Sequence, residues 1–316
     1  MNFENATVNP NPPAVKRGAW SFAWRRFRQH RLAMASAALL IILTLLSAAA
    51  PLLEFLLEID ASRVDLLRRF DLPSGGAWLG RDELGRDVFV RLLYGGQISL
   101  LVGAVTAIAA AVIGTLVGLT AAYRGGWLDA LLMRFTDSVI ALPFLPLLIV
   151  LAALDLSKTG IPEAVINSEW FSLYRIIFIV ALVGWTISAR LVRGAALSLR
   201  ERDFVLAARV QGASSLRIMG VHILPNLISP IIVATTLSAG KIILLESVLS
   251  FLGLGLQPPV PSWGNQLTNA QELIHSAPQL AFYPGIAIFI TVIALNFLGD
   301  GLQDALDPKS DTGNGY

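Results

Sequence analysis

The chain has 316 residues, 55% of them hydrophobic and only 15% charged, with a formal net charge of +2, and its mean hydropathy is +0.65. Soluble domains run at roughly 45–50% apolar and about 25% charged, so the surplus points to an all-α membrane protein instead of the two soluble domains that length alone allows. The near-neutral charge leaves no broad basic surface for nucleic acid. The absence of cysteine excludes disulfides, thiolate metal sites and a cysteine nucleophile. The three histidines, His30, His222 and His275, show no metal-ligand spacing, so no metal site and no catalytic group is expected.

A membrane-spanning helix takes about 20 mostly apolar residues. Six stretches qualify: 32–53, 98–122, 128–154, 176–192, 227–256 and 280–298. They divide the chain into an N-terminal segment 1–31, a first transmembrane helix 32–53, a loop 54–97, a core 98–306 carrying five further spans, and a tail 307–316. The first stretch ends in Ser47-Ala48-Ala49-Ala50, which resembles a signal-peptidase site. The long polar lead and the length of the apolar run favour an uncleaved anchor.

Cationic loops stay on the cytoplasmic side. Six cations (Lys16, Arg17, Arg25, Arg26, Arg28 and Arg31) precede the first span, against the single acid Glu4. Six arginines (190, 193, 200, 202, 209 and 217) cluster between the fourth and fifth spans, and the loop before the sixth has no cation. With six crossings, both termini and the 193–226 loop are expected in the cytoplasm. The 54–97 loop carries six arginines and eight acids and is read as extracytoplasmic. It contains a short echo, Leu-Gly-Arg-Asp at 79–82 and again at 84–87.

In the second span Ala110, Gly114, Gly118 and Ala122 recur every fourth residue, a small-residue face that lets two helix backbones approach closely. The third span contains Pro143 and Pro146, tolerable in a membrane helix whose neighbours satisfy the freed carbonyls. Asp137, Lys241 and Glu246 lie in or beside spans, where a lone charge costs roughly 2.5–3.5 kcal/mol on insertion scales. Lys241 and Glu246 are about 140° apart around a helix, so they do not pair. Asp137 and Glu246 are expected either to line a pathway or subunit interface, or to be structural carboxylates with partners of their own. Pro259, Pro261 and Trp263, in an uncharged external loop, are expected to act as an outer gate or contact for an external protein, or as an interfacial anchor.

The cytoplasmic loop 200–226 is the most informative segment. Asp203 is placed to cap a short helix 204–211, Gly212 can take the left-handed conformation that ends it, and Ser214 or Ser215 caps a second helix running to Pro225. Such an elbow across the ends of the bundle is a lever for a partner to push, with Ala207 and Ala208 leaving a shallow docking surface. An amphipathic linker lying on the membrane fits the composition equally well.

This loop resembles a known family. The pattern Glu-Ala-Ala-x3-Gly-x9-Ile-x-Leu-Pro marks the membrane subunits of binding-protein-dependent ATP-binding cassette importers. Ala207, Ala208, Gly212, Leu224 and Pro225 match it, while Leu206 stands where the Glu is expected and His222 where the Ile is expected. The run 84–96, Gly125-Gly126-Trp127-Leu128-Asp129, the stretch 249–255, Pro261-Ser262-Trp263-Gly264 and Gly299-Asp300-Gly301 are similar to the C-type permease of dipeptide, oligopeptide and nickel importers. The likeness covers the chain from Trp24 onward, with 155–174 an external insertion.

The resemblance implies a six-span type I importer permease with a cytoplasmic coupling helix, in a bacterial or archaeal plasma membrane. It implies a heterodimer with a second permease, one or two ATP-binding subunits that hold ATP and Mg, and an extracytoplasmic solute-binding protein. ATP-driven closure of the ATPases would move the elbow and open the central cavity outward. No cofactor is expected on this chain, whose nearest approach to a phosphate loop, Gly240-Lys241, has Thr235 for the first glycine and Ile242 for the hydroxyl residue. A secondary transporter or channel acting alone is the competing reading, though the expected internal symmetry of inverted halves is missing. A membrane enzyme would need clustered nucleophiles or ligands that the sequence lacks.

Overall fold

The computed structural model describes residues 19–306 apart from 155–159, 161, 167, 169, 258 and 269. The expected tail 307–316, residues 1–18 of the N-terminal segment and part of the external insertion therefore lie outside the described residues. In chain order the helices are α1 (Ala19–Gln29), α2 (Arg31–Ala48), α3 (Ala50–Leu56), α4 (Val88–Arg124), α5 (Gly126–Ala141), α6 (Phe144–Ala153) and α7 (Glu163–Ile166). They continue as α8 (Phe171–Arg200), α9 (Asp203–Val210), α10 (Ser215–Arg217), α11 (Leu224–Phe251), α12 (Ala270–Leu273) and α13 (Gln279–Leu306).

Among the described residues five helices, α2, α4, α8, α10–α11 and α13, are long and apolar enough to cross a membrane. The expected third span is not one helix: α5 and α6 meet at a bend of 84° and together make a sixth, broken crossing. Pro143 is the cause. Its ring disfavours helical geometry at the preceding residue, and Leu142 is extended at φ −71°, ψ 138°. Pro146 then falls in the first turn of α6, where its missing N–H costs nothing.

The loop between α3 and α4 explains the Leu-Gly-Arg-Asp echo. Gly80 and Gly85 both sit at positive φ, and a Cβ at either would meet the carbonyl oxygen of Asp71 or Asp65 below 3 Å. The two aspartates then diverge. Asp82 is buried and accepts from the amides of Leu84 and Arg86 and from Arg86 Nε at 2.7 Å, which folds the loop around it. Asp87 caps α4 through the Val90 amide at 3.0 Å, and burial raises its carboxyl above the ordinary aspartate range against the pull of the Val90 and Phe89 amides. Glu54 ties the start of the loop to α4 by accepting from the Tyr94 hydroxyl.

The most extensive helix pair is α4 with α8. It forms on the small-residue face: a Cβ on Gly114 would come within 2.6 Å of Ser188 Cβ and the Trp185 carbonyl, and one on Gly118 within 2.4 Å of the Ala189 carbonyl. In lipid no hydrophobic drive joins apolar helices, so close backbone approach and van der Waals contact must do so. Two ion pairs fasten α5 to the same helix. Arg193 binds Asp129 bidentately at 2.6 and 2.7 Å, and Arg190 binds Asp137 at 2.6 Å. At the other flank α2 and α13 meet where Gly301 faces Ala33, with Phe27 of α1 packed alongside.

Gly118→Leu is expected to lower stability by about 1–3 kcal/mol or to block folding, through overpacking against the α8 backbone. Gly194→Ala, on α8 where an added Cβ would have no atom within 4 Å, is expected to be neutral or stabilising by up to about 1 kcal/mol. Thermal unfolding of the two purified variants in detergent checks both.

Candidate functional site

The expected elbow forms as a helix, a glycine turn and a second helix. The first helix, α9, starts one residue earlier than expected: Asp203 is its first residue, and Arg202 occupies the cap position without a side-chain cap. Asp203 therefore acts through its charge at the positive helix end and not as a capping acceptor. Gly212 ends the helix at φ +80°. Its amide donates to the Arg209 carbonyl and that of Ala213 to the Ala208 carbonyl, both at 3.0 Å, the paired closure that a left-handed glycine permits.

Ser214 caps the next turn by accepting from the Arg217 amide. The second helix does not stop at Pro225 as expected. It passes through a π-helical stretch, Ile218–Ile223, and continues as α11. Pro225 has no N–H to give to the preceding turn, and the Asn226 side chain instead donates to the His222 carbonyl at 2.7 Å. Leu224 and Pro225 thus open the fifth crossing, just after His222. The second arm of the elbow, from Ser215, and that crossing form one continuous rod.

The elbow has two faces. Inside, Val205, Ala208, Ile218, Met219 and Ile223 are buried in one cluster with Leu119 and Ala122 of α4 and Val192 and Ala196 of α8. Arg200 adds a hydrogen bond of 2.8 Å to the Ala122 carbonyl in the last turn of α4, which satisfies a group the helix end leaves open. Outside, Phe204, Leu206, Val210 and Leu216 are exposed, Val210 by 89% and Leu216 by 78%. Ala207 lies exposed among them, while Ala208 faces inward. Leu206, standing where an acid was expected, extends this apolar face and offers no charge.

Glu246 lies at the opposite end of α11 and does not line an accessible path or subunit interface in this conformation. It is 0% exposed, enclosed by its own chain and held by three serines. Ser250 Oγ and Ser262 Oγ donate to its Oε1 at 2.7 and 2.8 Å, and Ser99 Oγ donates to Oε2 at 3.4 Å. These hydroxyls come from α11, the loop that follows it and α4, so one carboxyl joins three elements. The network continues from the Trp263 amide to Ser99 Oγ at 3.1 Å and from the Asn265 amide to Ser262 Oγ at 3.0 Å.

Trp263 is also not an outer contact surface. It is buried, with its indole N–H donating to the Leu92 carbonyl at 2.9 Å and its ring against Gly95 and Gly96, where a Cβ would approach within 3.1 and 3.0 Å. The paired glycines 95 and 96 are the reason: they hollow α4 enough to admit an indole. Pro261 is half-buried and only Pro259 of the expected trio is exposed. Asp137 is exposed and paired with Arg190. The two α5–α8 ion pairs escape a reading by spacing, because each joins residues more than 50 positions apart, and so do Ser99 and Ser262, which reach Glu246 from α4 and from across a loop. Ser250, four residues after Glu246 on the same helix, was the one partner that spacing offered.

Glu246→Ala strands at least two buried hydroxyls and is expected to cost about 2–4 kcal/mol. Limited proteolysis should show loop 257–268 released, while Glu246→Gln, which keeps an acceptor, should retain most of the protection.

A bundle of apolar spans, one of them broken, with an elbow seated on the ends of two of them and an apolar face turned outward, has the build of a transporter's membrane subunit. The chain belongs to the family described as binding-protein-dependent transport system inner membrane component, whose model matches residues 114–312. The N-terminal transmembrane domain of oligopeptide transport permease C matches residues 18–63. A dipeptide transport system permease protein from Alkalihalophilus pseudofirmus is 37% identical over 308 residues, 96% of each chain. Glutathione transport system permease proteins are 39% identical over 294 residues in Pectobacterium atrosepticum, 93% of this chain and 92% of that one. The corresponding protein of Escherichia coli O157:H7 is 41% identical over 314 residues, 98% of each. The chain is therefore a multi-pass membrane permease subunit with the six-span importer fold, a transport protein whose family works with ATPase and solute-binding partners.

Proposed function

We propose that this chain forms half of the translocation pathway of an importer for short peptides, dipeptides and glutathione being the cargoes named for its relatives. It pairs with a second, homologous permease. One or two ATP-binding subunits sit beneath the pair and hold ATP and Mg, and a solute-binding protein delivers cargo from outside. The chain itself hydrolyses nothing. Both termini and the elbow lie in the cytoplasm, as the arginine-rich 193–226 loop supports.

The single observation that carries this reading is the two-faced elbow. Large apolar residues standing at the cytoplasmic end of a membrane bundle need a protein partner, since an exposed patch of that kind marks an interface. The inner face is buried against α4 and α8, and α10 continues into α11. A push on Val210 and Leu216 therefore reaches three crossings. Nucleotide-driven closure of the ATPases supplies that push, and the crossings tilt between inward-open and outward-open arrangements.

Val210→Asp places a charge on the exposed face without touching the buried one. It is expected to leave the permease folded and paired but to lower co-purification of the ATPase, and cargo-stimulated ATP hydrolysis by the reconstituted complex, at least about tenfold, the cost of an unpaired charge at an apolar contact. Unchanged ATPase retention and stimulation would remove the elbow from the coupling path.

A further inference from the structure

Two grooves flank α11, and they differ in character. One, about 540 Å³ between α4 and α11, is lined by Ile108, Val112, Leu116, Ile228 and Ile232, with threonines as its only polar side chains. The other is a cleft of about 430 Å³ between α8, α11 and α13, whose apolar wall, with Ile187, Leu191 and Leu237 in it, is interrupted by Ser229, Ser238, Lys241 and Gln303. Lys241 has no ion pair among the described residues. It is exposed, whereas Glu246, the nearest acid on the same helix, is sealed inside the protein on the far side of the rod.

Depth makes the lysine unusual. Lys241 stands about 25 Å from the start of α11 and about 15 Å from its end, at 1.5 Å per residue. That is too deep for a phospholipid headgroup to meet it and too deep for its own stem to reach the interface easily. An unpaired ammonium at that level requires water or an anion. The cleft supplies the route for both. On the orientation proposed above, Ser229 and Gln303 lie toward the cytoplasmic ends of α11 and α13, so polar side chains mark the cleft from its inner mouth to Lys241.

We propose that Lys241 is a carboxylate-docking residue in the translocation pathway, which holds the ionised C-terminal carboxylate of a short peptide in transit. This rests on the peptide-importer reading and deepens it. Lysine suits a passing cargo, because a compact charge on a flexible stem attracts a carboxylate without the rigid bidentate geometry of arginine, which would hold the cargo too firmly for release. Hydroxyl and amide groups along the cleft replace part of the hydration that the cargo loses. Cargo without a carboxylate meets only the cost of a bare ammonium in a narrow passage, so the residue selects for free peptide acids.

The test uses the assembled transporter in proteoliposomes, with a free-acid dipeptide and its C-terminal amide as cargoes, each uptake rate corrected for that cargo's affinity for the binding protein. In Lys241→Met the ratio of free-acid to amide uptake should fall about tenfold, the scale of one charge-assisted hydrogen bond. The chain has no native cysteine, so within this subunit a Lys241→Cys variant can be modified at that position alone, and the unsubstituted complex treated with the same reagents controls for thiols on its partners. Reaction with 2-aminoethyl methanethiosulfonate, which returns an ammonium to the position, should restore the ratio, and the sulfonatoethyl reagent should not. An unchanged ratio in liposomes that move both cargoes overturns the assignment to Lys241 and leaves the importer reading standing. A parallel loss of both cargoes together with the partner permease means that the lysine pairs with that subunit, and also overturns it. A thiol in Lys241→Cys that no water-soluble reagent reaches does the same, since the cleft would then face lipid. Wild-type liposomes that move neither cargo overturn the peptide reading and this assignment with it.

Discussion

The contact on which the rest of this molecule depends is the apolar seat beneath the elbow. Val205 and Ala208 of α9, with Ile218, Met219 and Ile223 of the following turn, share one buried cluster with Leu119 and Ala122 on α4 and Val192 and Ala196 on α8. Without it, α9 would be a short helix able to swing independently of the membrane helices. With it, displacement of the elbow displaces the ends of α4 and α8. Close packing makes that link stiff, because interiors at native density transmit strain and do not absorb it.

Rigidity continues up the bundle by a different means. Between α4 and α8 there is no side chain at Gly114 and Gly118 to compress, so the backbones bear on each other directly. The bidentate Arg193–Asp129 pair fixes α5 to α8 near the same end. At the opposite end, the carboxyl of Glu246 joins α11, α4 and the loop around Ser262. On the mechanism proposed above, a tilt begun at the elbow arrives at a loop that is itself fastened to two of the tilting helices, so an opening at that end has to reorganise around Glu246.

Much of this was readable from residue order alone. The i, i+4 run of small residues fixed the contact face of α4, since only glycine and alanine permit that approach. Gly212 marked the elbow because one residue with free access to positive φ suffices to reverse a helix. What stayed hidden was non-local. A proline in a membrane span reads as a tolerated kink, and whether it becomes an 84° break depends on what packs around Leu142. Trp263 looked like a surface anchor because tryptophan favours interfaces, yet its pocket is cut by Gly95 and Gly96, nearly 170 positions earlier. Glu246 carried the signature of a functional charge, and only the convergence of Ser99 and Ser262 from other segments, beside Ser250 one turn away, shows that its own chain encloses it.

The claim that the elbow and the ends of α4 and α8 move as one body has a direct test in a chain without native cysteines. Spin labels at Gln211→Cys, an exposed polar position beside the docking face, and at Leu116→Cys, also exposed, report the elbow-to-α4 distance by pulsed electron resonance in the assembled complex. This distance is predicted to stay within about 2 Å between nucleotide-free and ATP-trapped states, as a close-packed seat requires, while the distance between the elbows of the two permeases changes. A shift or broadening of the elbow-to-α4 distance on trapping, with the two elbows fixed relative to each other, would contradict the claim.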